Sequence, residues 1–220
     1  LLLAFILRVV WLDKYPIGFT PDEASFGFDA YSILKTGKDQ WGHKLPLVLE
    51  SFGDFKPPLY AYLTVPSVAI FGLSKFAVRL PNALLGTLAV FVTYLLTKKL
   101  FEKKGLSVNL ENLALSSSFL LAISPWHIQL SRGAFEANLT TFFLPLGVLF
   151  FLKEKYVLSG LVLGLNLFSY HSAKLVTPLV FIALIILLKK NFKKFWKAVA
   201  TFGFFLLLLV FTFFQGSGTR

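Results

Sequence analysis

Cysteine is absent from all 220 residues, so disulfides and thiol catalysis are excluded and no redox compartment can be read. There is no Gly-rich nucleotide loop, no HExxH pair and no EF-hand loop. No internal repeat, low-complexity tract or soluble domain is visible, and neither is the inverted repeat found in many transporters. Acidic residues are scarce, with 11 Asp and Glu against 22 Lys and Arg, a net charge of +11. That excess does not imply nucleic acid here, because Lys and Arg collect in the cytoplasmic loops of membrane proteins.

Apolar residues, by contrast, make up 56% of the chain, with 26 Phe. Several runs approach the ~20 residues that cross a bilayer. The fold class that follows is an all-α polytopic membrane protein. The chain starts at Leu1 inside an apolar run, without an initiator Met, and reads as a fragment truncated at both ends. Residues 1–12 read as the tail of a first membrane helix. Arg8 breaks that run and no small-residue cleavage site follows, so it is not a signal peptide.

Residues 13–56 form a polar loop with seven acidic and five basic residues. Within it the spacing of Phe26, Ala30, Ile33 and Leu34 predicts an amphipathic helix over 21–36, stopped by Gly37 and lying in the membrane interface. Residues 58–72, interrupted by Pro66 and ended by Gly72, read as an interfacial or re-entrant helix. Six further spans are expected at 79–98, 112–128, 137–152, 156–171, 173–188 and 197–214, within residues 79–214. Counted this way, Lys98, Lys99, Lys103, Lys104, Lys153, Lys155, Lys189, Lys190, Lys193, Lys194 and Lys197 share one side, a positive-inside pattern. The first loop, 13–78, then faces outward.

That outer side collects Asp22, Glu23, His43, Asp54, Lys56, Arg79, His127, Arg132, Glu136, His171 and Lys174. Ionisable groups near a bilayer are costly and suggest a site. The alternative is that Lys and Arg there snorkel to headgroups, the reading preferred for Arg79, and that His127 is simply an interfacial residue. Thr20-Pro21-Asp22-Glu23 is likewise a complete helix start, with Glu23 three residues past Thr20 as a capping box requires. Cations suit a lipid phosphate, and a carboxylate suits deprotonation of an attacking hydroxyl. Together they describe group transfer from a lipid phosphate to a hydroxyl.

The pattern resembles a family. Phe19-Thr20-Pro21-Asp22-Glu23, Lys56-Pro57-Pro58-Leu59, Arg79-Leu80-Pro81-Asn82-Ala83-Leu84-Leu85-Gly86, and Ser124-Pro125 followed by Ser131-Arg132 are similar, in order, to the C-type (GT-C) membrane glycosyltransferases. The closest branch is that of the protein O-mannosyltransferases and lipid A aminoarabinose transferases. The resemblance implies a conserved module of about seven transmembrane helices with interfacial helices in the first outer loop. It implies a polyprenyl- or dolichyl-phosphate sugar as donor, inversion at the anomeric carbon, and a protein or lipid/glycan hydroxyl as acceptor. It further implies an address in the bacterial inner membrane with the active site facing outward, among membrane lipids.

Carried over, Asp22 is the catalytic carboxylate, with Glu23 supporting it. Lys56 is a ligand of the lipid phosphate, joined by Arg132, Lys174 and His171. Asp54, Glu136 and Tyr60 are candidate contacts for acceptor or sugar. Many relatives carry an acidic residue directly before the Lys-Pro pair; here that position is Phe55, with Asp54 one further back. A divalent metal is left open as a cofactor. The rival readings are a transporter or flippase of a lipid-linked or anionic substrate, and a non-catalytic membrane assembly subunit.

Overall fold

A computed structural model describes residues 1–102, 109–187 and 192–212, with side chains from 195 in the last stretch. It is helical apart from one small hairpin. In chain order the elements are α1 (Leu2–Val9), α2 (Pro21–Thr36), β1 (Leu49–Ser51), β2 (Asp54–Lys56), α3 (Leu59–Phe71), α4 (Lys75–Phe101), α5 (Leu110–Ile123), α6 (Pro125–Arg132), a 3-10 turn (Glu136–Leu139), α7 (Thr140–Leu152), α8 (Tyr156–Asn166), α9 (Ala173–Leu187) and α10 (Phe192–Thr212).

Of the seven expected spans, α4 and the 18 residues Phe195–Thr212 are long and apolar enough to cross a membrane as single helices. A third, α5 with α6, is bent by 56°. The bend falls at Ser124-Pro125, because Pro125 has no N–H to give to Leu121 and is suited instead to open a new helix. The other apolar helices are shorter. Lys103, Lys104, Lys189 and Lys190 of the expected charge pattern lie outside the described residues, as do the side chains of Lys193 and Lys194 and the tail from 213.

The helix expected over 21–36 is present. Thr20 Oγ1 accepts from the Glu23 N–H, Glu23 reaches back to the Thr20 N–H, and Gly37 ends the helix in the left-handed region at φ 70°. Its inward face is not the apolar stripe that the spacing suggested. Phe26 and Ala30 are buried, but so are Glu23, Ser25 and Asp29, while Leu34 is exposed. The helix packs on α3 and α4 and carries polar groups into the contact.

The hairpin was not anticipated. Ser51 pairs with Asp54 across a two-residue turn in which Phe52 (φ 51°) and Gly53 (φ 78°) both take the left-handed conformation. That is the turn whose twist matches paired strands. The hairpin is tied to the preceding loop by Trp41 Nε1 and Gln40 Nε2, which both donate to the Glu50 carbonyl, at 2.8 and 3.0 Å.

One core joins α2, α3, α4, the 3-10 turn, α7 and α8 through Phe26, Tyr60, Val78, Leu139, Phe143 and Val162. A second, rich in phenylalanine, joins α7 to α10 through Phe151, Phe168, Phe181, Phe195 and Phe202. Between lipid-embedded helices close approach replaces the hydrophobic drive, so small residues mark the contacts. Gly160 and Gly164, four apart on α8, face α10. A Cβ on Gly160 would lie 1.9 Å from Thr201 Oγ1 and 2.6 Å from the Ala198 carbonyl; one on Gly164 would meet Phe205.

Candidate active site

Asp22 stands in the first turn of α2 and Lys56 ends β2, directly before Pro57-Pro58 and α3. Their side chains form an ion pair, Lys56 Nζ donating to Asp22 Oδ1. The two ends of the pair differ in setting. The Lys56 side chain is 6% exposed and lies over the Phe26 ring, whereas the Asp22 side chain is 61% exposed. A buried cation thus holds an accessible carboxylate in place.

Lys56 also lines a cleft of about 410 Å³ with Asp54, His171 and Lys174. Phe168 and Leu209 add apolar surface to the same cleft. The Leu59 N–H at the head of α3 donates to the Phe168 carbonyl at 3.2 Å, and Leu59 packs against the cluster that holds Phe168. Both contacts tie the loop carrying His171 and Lys174 to the loop carrying Lys56. Three expected phosphate ligands, His171 and Lys174 lying 115 and 118 residues from Lys56 in sequence, therefore line one cleft together with apolar side chains.

Arg132 does not join them. Its guanidinium donates to the carbonyls of Leu7, Val10, Trp11 and Tyr15 at 2.9–3.2 Å, fastening the end of α1 to the end of α6. The chain around Trp11 leaves helical geometry (φ 53°), and five fixed guanidinium donors suit the carbonyls so freed.

Glu23 is in contact with a different cation. Arg79 Nε and Nη2 donate to its two carboxylate oxygens at 2.7 and 3.1 Å, and the N–H groups of Thr20 and Ala134 add bonds at 2.9 and 3.1 Å. Burial alone would raise its pKa, but these donors outweigh burial and hold it below the usual carboxylate value. Both oxygens are occupied, so Glu23 ties α2 to α4 and to the segment after α6. Arg79 does not snorkel. Helix α4 starts four residues earlier than expected, capped by Ser74, which sets Arg79 one turn inside with no solvent exposure. It also donates to the carbonyls of Leu12, Pro16 and Gly18.

Tyr60 is fully buried, and its hydroxyl donates to the Val78 carbonyl at 2.8 Å, so it offers nothing to an acceptor. Glu136 is half-buried at the start of the 3-10 turn. Burial pushes its carboxyl pKa up; its own N–H opposes, Asp22 and Asp54 add to the rise, and Lys56 counters. That set of neighbours puts Glu136 within electrostatic reach of the Asp22–Lys56 pair. His127, expected at the interface, is buried within the protein, bonded to Arg8 at 2.8 Å and to Thr141 at 3.2 Å.

Sequence reasoning missed Asp29 and Asn82. Asp29 is 1% exposed; one oxygen accepts from the Gln40 N–H and the other has no partner. Asn82 donates to the carbonyls of Leu130, Gly133 and Phe135 and accepts from Asn138. The seven-residue step from Asp22 to Asp29, two helical turns, was the available signal for the first. Among the described residues no three His, Asp or Glu side chains converge as a metal would require.

The family model for dolichyl-phosphate-mannose-protein mannosyltransferase matches residues 55–214. The chain belongs to this family. The matched region opens on the Lys56-Pro57-Pro58 segment, while the acidic pair lies ahead of it. A curated relative, an uncharacterized protein of Aquifex aeolicus (strain VF5), is 27% identical over 93% of the chain and 42% of its own length. The crystal structure of ArnT from Cupriavidus metallidurans in the apo state superposes with a TM-score of 0.71 at 16% identity, over all of this chain and 41% of that one. The likeness to ArnT is one of fold, that of a polytopic membrane protein. The chain spans about two fifths of the length of both.

Proposed function

We propose that this chain is the catalytic membrane module of a glycosyltransferase. It moves a sugar from a polyprenyl-phosphate-linked donor to a hydroxyl acceptor at the outer membrane face, with inversion at the anomeric carbon. The observation that carries this reading is the one cleft that Lys56, His171 and Lys174 line together with Phe168 and Leu209, with Asp22 paired to Lys56. A lipid phosphate needs both kinds of lining: cations for its charge and apolar surface for the chain that bears it.

In this reading the acceptor oxygen forms a bond to the anomeric carbon. The bond from that carbon to the phosphate oxygen breaks, and its electron pair leaves with the phosphate. The cations stabilise the charge that gathers there. The acceptor proton passes to Asp22, whose carboxylate is exposed to the incoming hydroxyl and oriented by Lys56. Glu23 acts through Arg79 and the cap, as a positioning residue.

The test uses full-length protein in membranes with a radiolabelled polyprenyl-phosphate sugar. Asp22→Asn is expected to lower transfer by roughly 10²–10⁴-fold, the range of a positioned general base. Lys56→Ala is expected to weaken donor binding as well as turnover. Undiminished transfer by Asp22→Asn sinks the assignment.

A further inference from the structure

A second cleft, of about 510 Å³, shares Gly53 with the first and is lined by Ala24, Ser25, Phe28, Gln40, Trp41 and Glu50 to Gly53. It carries no cation, so it is not built for a phosphate. Its features are aromatic faces and hydrogen-bonding groups. Trp41 is 59% exposed, and its ring is oriented by the bond from Nε1 to the Glu50 carbonyl at 2.8 Å. Phe52 is 77% exposed and sits in the hairpin turn at φ 51°. That conformation suits Asn or Gly and is unfavourable for a bulky side chain. A phenyl ring left mostly in solvent, at a position where it opposes the turn, adds little to the fold. The Ser51 hydroxyl is buried without a hydrogen-bond partner, while the Ser25 hydroxyl lies one turn from Asp29 and interacts with its carboxyl. A ligand hydroxyl supplies Ser51 with the bond it lacks.

We propose that this cleft holds a sugar ring of a carbohydrate acceptor and presents its hydroxyl toward Asp22. Fixed aromatic faces suit the C–H faces of a pyranose, and the Glu50 carboxylate and Gln40 amide suit its hydroxyls. Ser25 lies one helical turn beyond Asp22 on α2, so the cleft opens beside the catalytic carboxylate. Gly53 borders both clefts, which places donor phosphate and acceptor ring on surfaces that meet at the hairpin turn. The inference rests on the glycosyltransferase reading and narrows its acceptor to a glycan.

Saturation-transfer NMR on the full-length protein in lipid nanodiscs tests it, with methyl α-mannoside, methyl β-glucoside, methyl β-N-acetylglucosaminide and a Ser/Thr-bearing peptide as probes. Binding of polyprenyl phosphate is measured in parallel. At least one glycoside is expected to give a signal that Trp41→Ala and Phe52→Gly each reduce roughly fivefold, with polyprenyl phosphate binding unchanged. Phe52→Gly suits the turn backbone and so leaves the fold intact. Silence from all three glycosides overturns the proposal. So does a signal that survives both substitutions, or a peptide signal in place of the glycosides. Loss of polyprenyl phosphate binding in the unaltered protein would instead defeat the donor reading, and the two failures are distinguished by which probe is silent.

Discussion

Glu23 and Arg79 form a buried pair with almost no exposure on either side chain, and the structure gives a definite size for breaking it. Removing one partner of a buried, hydrogen-bonded ion pair costs about 3–5 kcal/mol, because the other charge is stranded. Arg79→Met also takes the donor from the carbonyls of Leu12, Pro16 and Gly18, at about 1 kcal/mol or more each. The sum is comparable to the whole net stability of a typical domain, about 5–15 kcal/mol, so this variant is expected to fold poorly. Glu23→Gln is milder. It keeps an acceptor but loses the charge, and about 3 kcal/mol corresponds to a fall in Tm of roughly 6–12 °C for a chain of this size. Thermal unfolding in detergent, followed by tryptophan fluorescence, measures both. The double variant Glu23→Leu/Arg79→Met should be less destabilised than the sum of the single changes by about 2–4 kcal/mol, since neither charge is then stranded. The pH dependence carries a sign. The folded-state pKa of Glu23 is depressed, so its stabilisation is present above the ordinary carboxylate pKa and is lost as pH falls through the lower folded value. Glu23→Gln should remove that acid-side loss. If Glu23→Gln leaves Tm and its acid dependence unchanged yet abolishes sugar transfer, the positioning role is refuted and Glu23 belongs to the chemistry.

Asp29 behaves in the opposite sense. Burial raises its pKa to about 6; the Gln40 N–H opposes, Asp39 adds and Lys56 counters. The folded state therefore holds the proton more tightly than the unfolded one, and stability falls as pH rises from about 4 through 6. Asp29→Asn should raise stability at pH 8 by an amount on the order of 2–3 kcal/mol, read as a higher Tm than the unaltered protein, with the gain vanishing toward pH 4; an equal gain at both pH values would contradict this. Gly160→Ala pushes a Cβ against the Ala198 carbonyl at 2.6 Å, a backbone atom that cannot rotate away. A loss of about 1–3 kcal/mol is expected in the same unfolding assay, and no loss would mean that α8 and α10 pack less closely than described.

The parts of the fold governed by local chemistry were legible in the sequence. Thr20, Pro21, Glu23 and Gly37 set both ends of α2 through bonds within a few residues, and Gly72 ends α3, although Pro66, read as an interruption, lies inside that helix. Contacts set by distant partners were not legible. The stripe of Phe26, Ala30, Ile33 and Leu34 pointed to a helix lying on lipid, whereas the buried face also holds Glu23, Ser25 and Asp29, because Arg79, Ala134 and Gln40 supply partners to Glu23 and Asp29 from elsewhere in the chain. The hairpin itself was hidden because Phe52-Gly53 lacks the Asn or Asp that usually signals such a turn. Lys56, His171, Lys174 and Asp54 were each singled out, yet it takes long-range contacts, among them the bond between Leu59 and Phe168, 109 residues apart, to bring His171 and Lys174 to Lys56.

Sequence reasoning grouped Arg132 with Lys56 and Lys174 and read Arg79 as snorkelling; the structure instead sets the arginines apart from the lysines. Arg8, Arg79 and Arg132 each go to main-chain carbonyls at places where regular structure ends. Arg8 donates to Leu121 and Ala122 at 3.1 Å. Those carbonyls lie just ahead of the bend at Pro125, where the helix ladder is interrupted. Arg79 and Arg132 serve the irregular chain from Leu7 to Gly18 in the same way. A rigid fork with five donors can satisfy several carbonyls at once; an ammonium on a flexible stem cannot do so in a fixed geometry. Lys56 and Lys174 instead line the cleft, each as the compact point charge of an ammonium. The arginines hold the first loop in place against the membrane helices. That loop carries Asp22, so the three arginines bear on the Asp22–Lys56 pair through the position of the loop.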